Sequence, residues 1–248
     1  MTGGWIAAVA FDLDGTLVDL ERFHHEALLG AAREVGVELN WAEALQQLPH
    51  FIGGPDLRVA AEVAVLSRTG VSPEVVLAAK RRSFSSLIGA VAEIVPRPGA
   101  GEVLDLLAGR GVPLAVGTVT SRATAVGVLR RSGLLPMFGE GRVVAAEDVP
   151  GLKPAPHVYR ETARRLGVPP AGQLVFEDSL TGMAAARSAG SPFVAMPTLH
   201  DRDYLASVGA AGALAVFRAW HDRGLPLLLD RLLTPAGAVL TEGGIGRA

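Results

Sequence analysis

The sequence predicts a doubly wound parallel α/β core interrupted by an inserted α-helical cap. Three observations carry that prediction. From residue 112 onward, short apolar runs bounded by turn residues alternate with segments of helical periodicity. A similar run near the start, IAAVAFDL, stands apart from the others. Between them, residues 21–84 read as helical throughout and break the alternation, which is how an inserted domain looks in a sequence.

Taken in order, residues 6–13 form a run too short and too apolar for a surface helix, and they read as a buried parallel strand. Ala27, Leu28, Ala31, Ala32 and Val35 then repeat at spacings of three and four, and Gly36 supplies a helix stop. Residues 41–48 make a second helical segment ended by Pro49. After the loop Ile52-Gly53-Gly54-Pro55, a third spans 56–68. Ser72-Pro73-Glu74 puts Ser at an N-cap and Pro in the first turn of a fourth helix, which runs through Lys80 towards residue 92. Pro96-Arg97-Pro98-Gly99 punctuates the chain. Helix 99–109, strand 112–117, helix 122–132, strand 142–145, helix 156–166, strand 173–176, helix 180–189 and strand 193–195 follow. The expected core is 1–18 with 94–248, the expected cap is 19–93, and the chain beyond about 234 reads as a loose tail.

Composition removes several function classes. The 248 residues hold 23 Lys+Arg against 25 Asp+Glu, a net charge of −2, which argues against broad binding to nucleic acid or to an anionic membrane. Cys is absent, so disulfides, iron–sulfur clusters, thiolate zinc and a Cys nucleophile are excluded, and any metal is held by oxygen or His nitrogen. The first residues lack a basic leader region, and no apolar stretch nears the roughly 20 residues that span a bilayer. With nothing that needs an oxidising compartment, the expectation is a soluble cytoplasmic protein.

Ligands bind at the carboxyl ends of the strands in such a sheet. The residues expected there are Asp12, Asp14, Gly15 and Thr16, then Thr118 with Thr120, then Lys153 in a GLKP loop, then Glu177-Asp178-Ser179. Taken singly, each group also reads as an ordinary turn, loop or helix start. Together they bring carboxylates, hydroxyls and one ammonium to a single rim.

The segments FDLDGTLVD, LAVGTVTSR, GLKPAPHVY and VFEDSLTGMAAARSAG occur in this order between Phe11 and Gly190. They resemble the four motifs of the haloacid dehalogenase-like superfamily of hydrolases. The helical insertion resembles the small cap of its phosphoglucomutase-like and phosphoglycolate-phosphatase-like branch. The resemblance implies that Asp12 is a nucleophile forming an aspartyl-phosphate, and that Asp14 protonates the leaving alcohol and then activates water. It implies Mg²⁺ held by Asp12, Asp178 and the main-chain carbonyl of Asp14, with Glu177 acting through water. Such all-oxygen ligation suits that hard cation. It also implies phosphate binding by Thr118 with backbone N–H groups near Val119 and Thr120, and charge balance from Lys153. Asp14 favours a phosphatase over a haloalkanoate dehalogenase, which has no alcohol to protonate.

In the cap, His24 falls where many phosphatases of that branch carry a His, whereas its neighbour His25 also reads as a surface residue. Lys80 with Phe84 resembles a Lys-xxx-aromatic element that reaches the substrate, although Lys80-Arg81-Arg82 also reads as a solvated basic face. The cap loop lacks an Arg where the sugar-phosphate mutase holds a second phosphate, Arg58 being displaced from that position. The implied function is therefore a Mg²⁺-dependent hydrolase of a small phosphorylated sugar or polyol. A phosphosugar mutase of the same fold, and a non-catalytic binding or regulatory protein that keeps the fold, are the alternatives. His157, His200, His221, Trp5, Trp41 and Trp220 show no ligand or stacking pattern and read as ordinary surface or packing residues.

Overall fold

The computed structural model describes residues 6–52, 56–200 and 202–233. Strand β1 (Ala8–Phe11) is followed by four helices, α1 (Glu21–Glu34), α2 (Trp41–Gln47), α3 (Asp56–Leu66) and α4 (Pro73–Ala90). Then come α5 (Ala100–Gly109), β2 (Leu114–Gly117), α6 (Arg122–Arg131), α7 (Leu135–Phe138) and β3 (Val143–Val144). Helix α8 (His157–Leu166), β4 (Gln173–Glu177), α9 (Leu180–Ala189) and β5 (Phe193–Ala195) continue the alternation. Helix α10 (Arg202–Ala210), β6 (Ala215–Val216) and α11 (Gly224–Leu232) close it. The expected tail beyond 234 lies outside the described residues. So does Trp5.

Among the described residues the six strands are all parallel, in the order β3-β2-β1-β4-β5-β6. That is the doubly wound order, with a crevice where the winding reverses between β1 and β4. Every residue of β1, β2 and β4 is buried, which explains their unbroken apolar runs. Phe11 of β1 pairs in register with Val116 of β2 and Phe176 of β4, so the residues that follow these strands emerge side by side. Beneath them Phe11 stacks on Phe176 at 5.2 Å between ring centroids, and Trp220 packs against both rings. Trp220, read from sequence as ordinary, is thus a core residue of the site's floor.

Helix boundaries follow local chemistry. Ser179 and Ser121 accept N-cap hydrogen bonds from Gly182 and Thr124, and Asn40 with Glu43 forms a capping box before α2. Ser72 takes the N-cap position of α4 but makes no side-chain cap bond; its hydroxyl serves the Glu74 carboxylate instead. Gly99 precedes α5 with φ +88°, and a Cβ there would press on the backbone of Trp220 and His221.

Helices α1 to α4 surround a second apolar core that includes Leu28, Ala32, Leu48, Val63 and Val76. No strand interrupts them among the described residues. Phe23, Phe84 and Ile88 belong instead to the main core, and α4 meets α6 through Ser85 and Thr124 and through Arg131 on the Gly89 carbonyl. Three elements after β5 had no counterpart in the sequence reading. Strand β6 has two residues, neither buried, so it leaves no apolar run to detect. Among the described residues, no helix is long and apolar enough to cross a membrane.

Candidate active site

The site starts where β1 ends. The Asp12 backbone N–H donates to the Phe176 carbonyl at 2.9 Å, which fixes Asp12 beside the end of β4. Asp12 is 7% exposed, and its carboxylate accepts from Lys153 Nζ at 2.5 Å. The same ammonium donates to Glu177 Oε1 at 2.5 Å, a residue wholly buried at the end of β4. Tyr159 Oη also donates to Glu177 Oε1, at 2.7 Å, while Glu177 Oε2 accepts from the Ser179 N–H and hydroxyl at 3.1 and 3.0 Å. Lys153 therefore sits in a cradle that sequence reasoning saw only in part. Tyr159 lies on α8 at the end of the GLKPAPHVY segment, and the sequence reading gave it no role of its own.

Ligand oxygens of Asp12, Glu177 and Asp178 lie within 4.8 Å of one another. Burial raises the Asp12 carboxyl to about 7; Lys153 opposes the rise, and Glu177 and Asp14 add to it. Burial and the nearby Glu177, Asp12 and Asp14 carboxylates push Asp178 well above the usual range. Three crowded carboxylates thus share one ammonium. A hard divalent cation ligated by oxygen fits this donor set and its missing positive charge.

The loop after Asp12 is tightly held. Gly15 adopts φ +84°, and a Cβ on it would collide with the Asp178 carboxylate. Thr16 Oγ1 donates to Asp178 Oδ1 at 3.2 Å, and Trp220 Nε1 donates to the Thr16 carbonyl at 2.9 Å. Arg97 Nη1 donates to the Gly15 and Met196 carbonyls at 2.5 and 3.1 Å, so the Pro-Arg-Pro-Gly punctuation also carries the clamp of this loop. Tyr204 of α10 donates to the Asp178 carbonyl at 2.8 Å.

Asp14 points towards the start of helix α1. Its Oδ1 accepts from the Leu20 N–H at 2.9 Å, and its Oδ2 meets His24 Nε2 at 2.5 Å. The His24 ring stacks on Phe84 of α4 at 4.1 Å between centroids. Thr118 is buried, and its Oγ1 accepts from the Thr120 N–H at 3.2 Å, which leaves its own proton to donate. A cavity of about 190 Å³ is lined by Asp12, Asp14, His24, Thr118, Val119, Thr120, Lys153 and Asp178. Two further chambers, of about 310 and 200 Å³, adjoin it at His24, and Lys80 with Asp56 lines both.

Two alternatives from the sequence are decided here. His25 is not a surface residue; it is 7% exposed, packed against Trp41 and Phe51, and lines the larger chamber. Lys80 is buried, whereas Arg81 and Arg82 are exposed, so the basic triplet is not one uniform solvated face. Arg58 is exposed on α3 and lines none of these chambers.

Fold and site together define a class, a doubly wound α/β protein whose site groups are mostly carboxylates. Residues 6–190 match the family model described as haloacid dehalogenase-like hydrolase, and the chain belongs to that family. It is 33% identical over 202 residues to protein CbbY of Rhodobacter capsulatus, covering 79% of this chain and 88% of that protein. It is 33% identical over 184 residues to the fructose-1-phosphate phosphatase YqaB of Escherichia coli, covering 74% and 93%. A solved CbbY from Rhodobacter sphaeroides in complex with xylulose-(1,5)bisphosphate matches with TM-score 0.66 at 27% identity, over 88% of this chain and 96% of that one. The chain is thus an enzyme of the phosphatase type, in the phosphoglucomutase-like and phosphoglycolate-phosphatase-like branch.

Proposed function

We propose that this protein is a Mg²⁺-dependent phosphomonoester hydrolase of small phosphorylated sugars or polyols, working through an aspartyl-phosphate on Asp12. The observation that carries the reading is one cavity shared by Asp12, Asp14, Thr118, Lys153 and Asp178, delivered from four separate segments of the chain. The relatives support a sugar phosphate, since YqaB is named for one and the CbbY structure holds one.

Asp12 attacks phosphorus with the oxygen that Lys153 leaves available. Lys153 spreads its charge over that carboxylate and the incoming phosphoryl oxygens. The Thr118 hydroxyl and backbone N–H groups near Val119 and Thr120 bind those oxygens. Asp14 gives its proton to the leaving alcohol and then takes one from the attacking water, worth roughly 10²–10⁴-fold in rate. Asp12, Asp178 and the Asp14 main-chain carbonyl would hold Mg²⁺, which when bound neutralises the phosphoryl charge. We assign Glu177 to Lys153 rather than to the water shell of the metal, because its two oxygens already accept four hydrogen bonds. It is a positioning residue.

We further assign helices α1 to α4 to a cap that chooses the leaving group. The core residues touch only what every phosphomonoester shares, whereas His24 and Lys80 face the chambers beyond it. The cap also excludes bulk water while the acyl phosphate forms.

The deciding experiment is a panel of phosphate esters with the Mg²⁺-loaded chain, following inorganic phosphate and sugar isomers together. Phosphate release from sugar monophosphates supports the hydrolase. Isomer formation without release would establish a mutase. No turnover and no acid-stable phosphoenzyme from a folded sample would establish a binding protein.

A further inference from the structure

The larger cap chamber has an unusual charge balance. Among the described residues that line it, Lys80 is the only Lys or Arg, and it is 6% exposed. A buried lysine facing a substrate chamber is the group expected to hold a second phosphate or a carboxylate. Here it is already engaged, because Lys80 Nζ donates to Asp56 Oδ1 across the chamber wall from α4 to α3. Asp56 itself is half exposed and lines both cap chambers beside Lys80. Asp19 and Glu21 line the larger chamber as well.

We propose that Asp56 sets substrate choice: by neutralising Lys80 it makes the cap reject a second phosphate or carboxylate and accept the hydroxyls of an uncharged sugar or polyol. This rests on the phosphomonoester reading above and narrows it to leaving groups without a second anion. The ammonium has three donors and the carboxylate two acceptor oxygens, so the pair presents a donor beside an acceptor. A sugar hydroxyl both donates and accepts and can satisfy the two together. A phosphate dianion only accepts. It would have to displace Asp56 from Lys80 and then lie against that carboxylate, and like charges brought together at a binding surface are strongly disfavoured. The flat His24–Phe84 stack between the chambers gives the carbon face of a sugar ring an apolar surface. Arg81, exposed at the edge of the smaller chamber, stands outside the Lys80–Asp56 pair and serves as a control.

The test compares matched ligands, fructose 1-phosphate against fructose 1,6-bisphosphate. Calorimetric dissociation constants are measured on the Mg²⁺-loaded full chain carrying Asp12→Asn, so that neither ligand is consumed. The monophosphate should bind at least about tenfold more tightly, the scale of one partly solvated charge repulsion. Adding Asp56→Asn should shrink that ratio at least about fivefold by improving bisphosphate binding, and Arg81→Ala should leave it unchanged. Asp56→Ser, checked by circular dichroism, serves as a second variant should the amide disturb α3. Equal binding of the two ligands, or a ratio untouched by either Asp56 variant, would overturn the proposal. Hydrolysis of 4-nitrophenyl phosphate by the unsubstituted chain reports on the phosphatase reading separately. That reading can fail while the binding ratio stands, and the ratio can fail while hydrolysis proceeds.

Discussion

Helix propensity favours Gly182→Ala, and the tertiary structure forbids it. In an exposed helix interior, replacing Gly with Ala stabilises by about 1 kcal/mol. Gly182 occupies the first turn of α9, and a Cβ built on it falls inside the Glu177 carboxyl group. Glu177 has nowhere to retreat, being fully buried and held by Lys153, Tyr159 and two groups of Ser179. Each hydrogen bond to a charged group contributes roughly 1.5–3 kcal/mol. Losing two of the four, offset by the propensity gain, leaves a net destabilisation of about 2–5 kcal/mol. In a chain of this size that lowers Tm by about 10 °C. Lys153 would lose one of its two anchors, and misplacing a reacting group by a fraction of an ångström to an ångström costs up to roughly 10²-fold in kcat. Calorimetry and 4-nitrophenyl phosphate hydrolysis read the two effects. Gly101→Ala in α5 is the control, because nothing lies within 4 Å of its Cβ; it should hold or gain stability. A Gly182→Ala protein that melts at or above the parent with unchanged kcat would refute the reasoning.

Other substitutions test other parts of the site. Asp14→Asn should slow hydrolysis of unactivated alkyl phosphates by roughly 10²–10⁴-fold, with a smaller effect on phosphoenzyme formation from 4-nitrophenyl phosphate; equal loss on both esters would remove Asp14 from the acid role. Arg97→Met should cost about 2–3 kcal/mol in urea denaturation and lower kcat more than it raises KM, since the Gly15 and Met196 carbonyls lose a charged donor. Hydrogen bonds from Arg164 and Arg165 hold the Glu161 carboxyl at about 2, below its usual 4.5. Such a depressed group stabilises the fold above the unfolded value, and the contribution is lost as pH falls from about 4.5 towards 2. Glu161→Gln should therefore cost about 1 kcal/mol at pH 7, a figure reduced because Arg164 is solvated, and the gap to the parent should close on acidification.

Much of the fold and the rim was legible in the linear chain. Parallel strands buried on both faces need continuous apolar runs, so β1, β2, β4 and β5 announced themselves, and the helices between them carried ordinary caps and stops. Residues that follow such strands share one edge by topology alone, which places Asp12, Thr118, Glu177 and Asp178 together from the sequence. Short elements were lost because two half-exposed residues, as in β6, carry no periodicity. What tertiary structure decided was partnership. Whether a polar side chain is a clamp, a floor or a free group depends on what the fold sets against it, and the residues involved are far apart in the chain. Arg97 read as loop punctuation until Gly15 was placed under its guanidinium, and Trp220 as packing until its indole met Thr16. Nothing in the linear chain singled out Gly182, and the structure shows that Glu177 fills the space of its missing Cβ. Lys80 read either as a residue that reaches the substrate or as part of a solvated basic face, and only the approach of α3 to α4 supplied the carboxylate that pairs with it. Local sequence encodes burial and periodicity, but pairwise electrostatics and steric exclusion act between segments, so they are set only when the chain has closed.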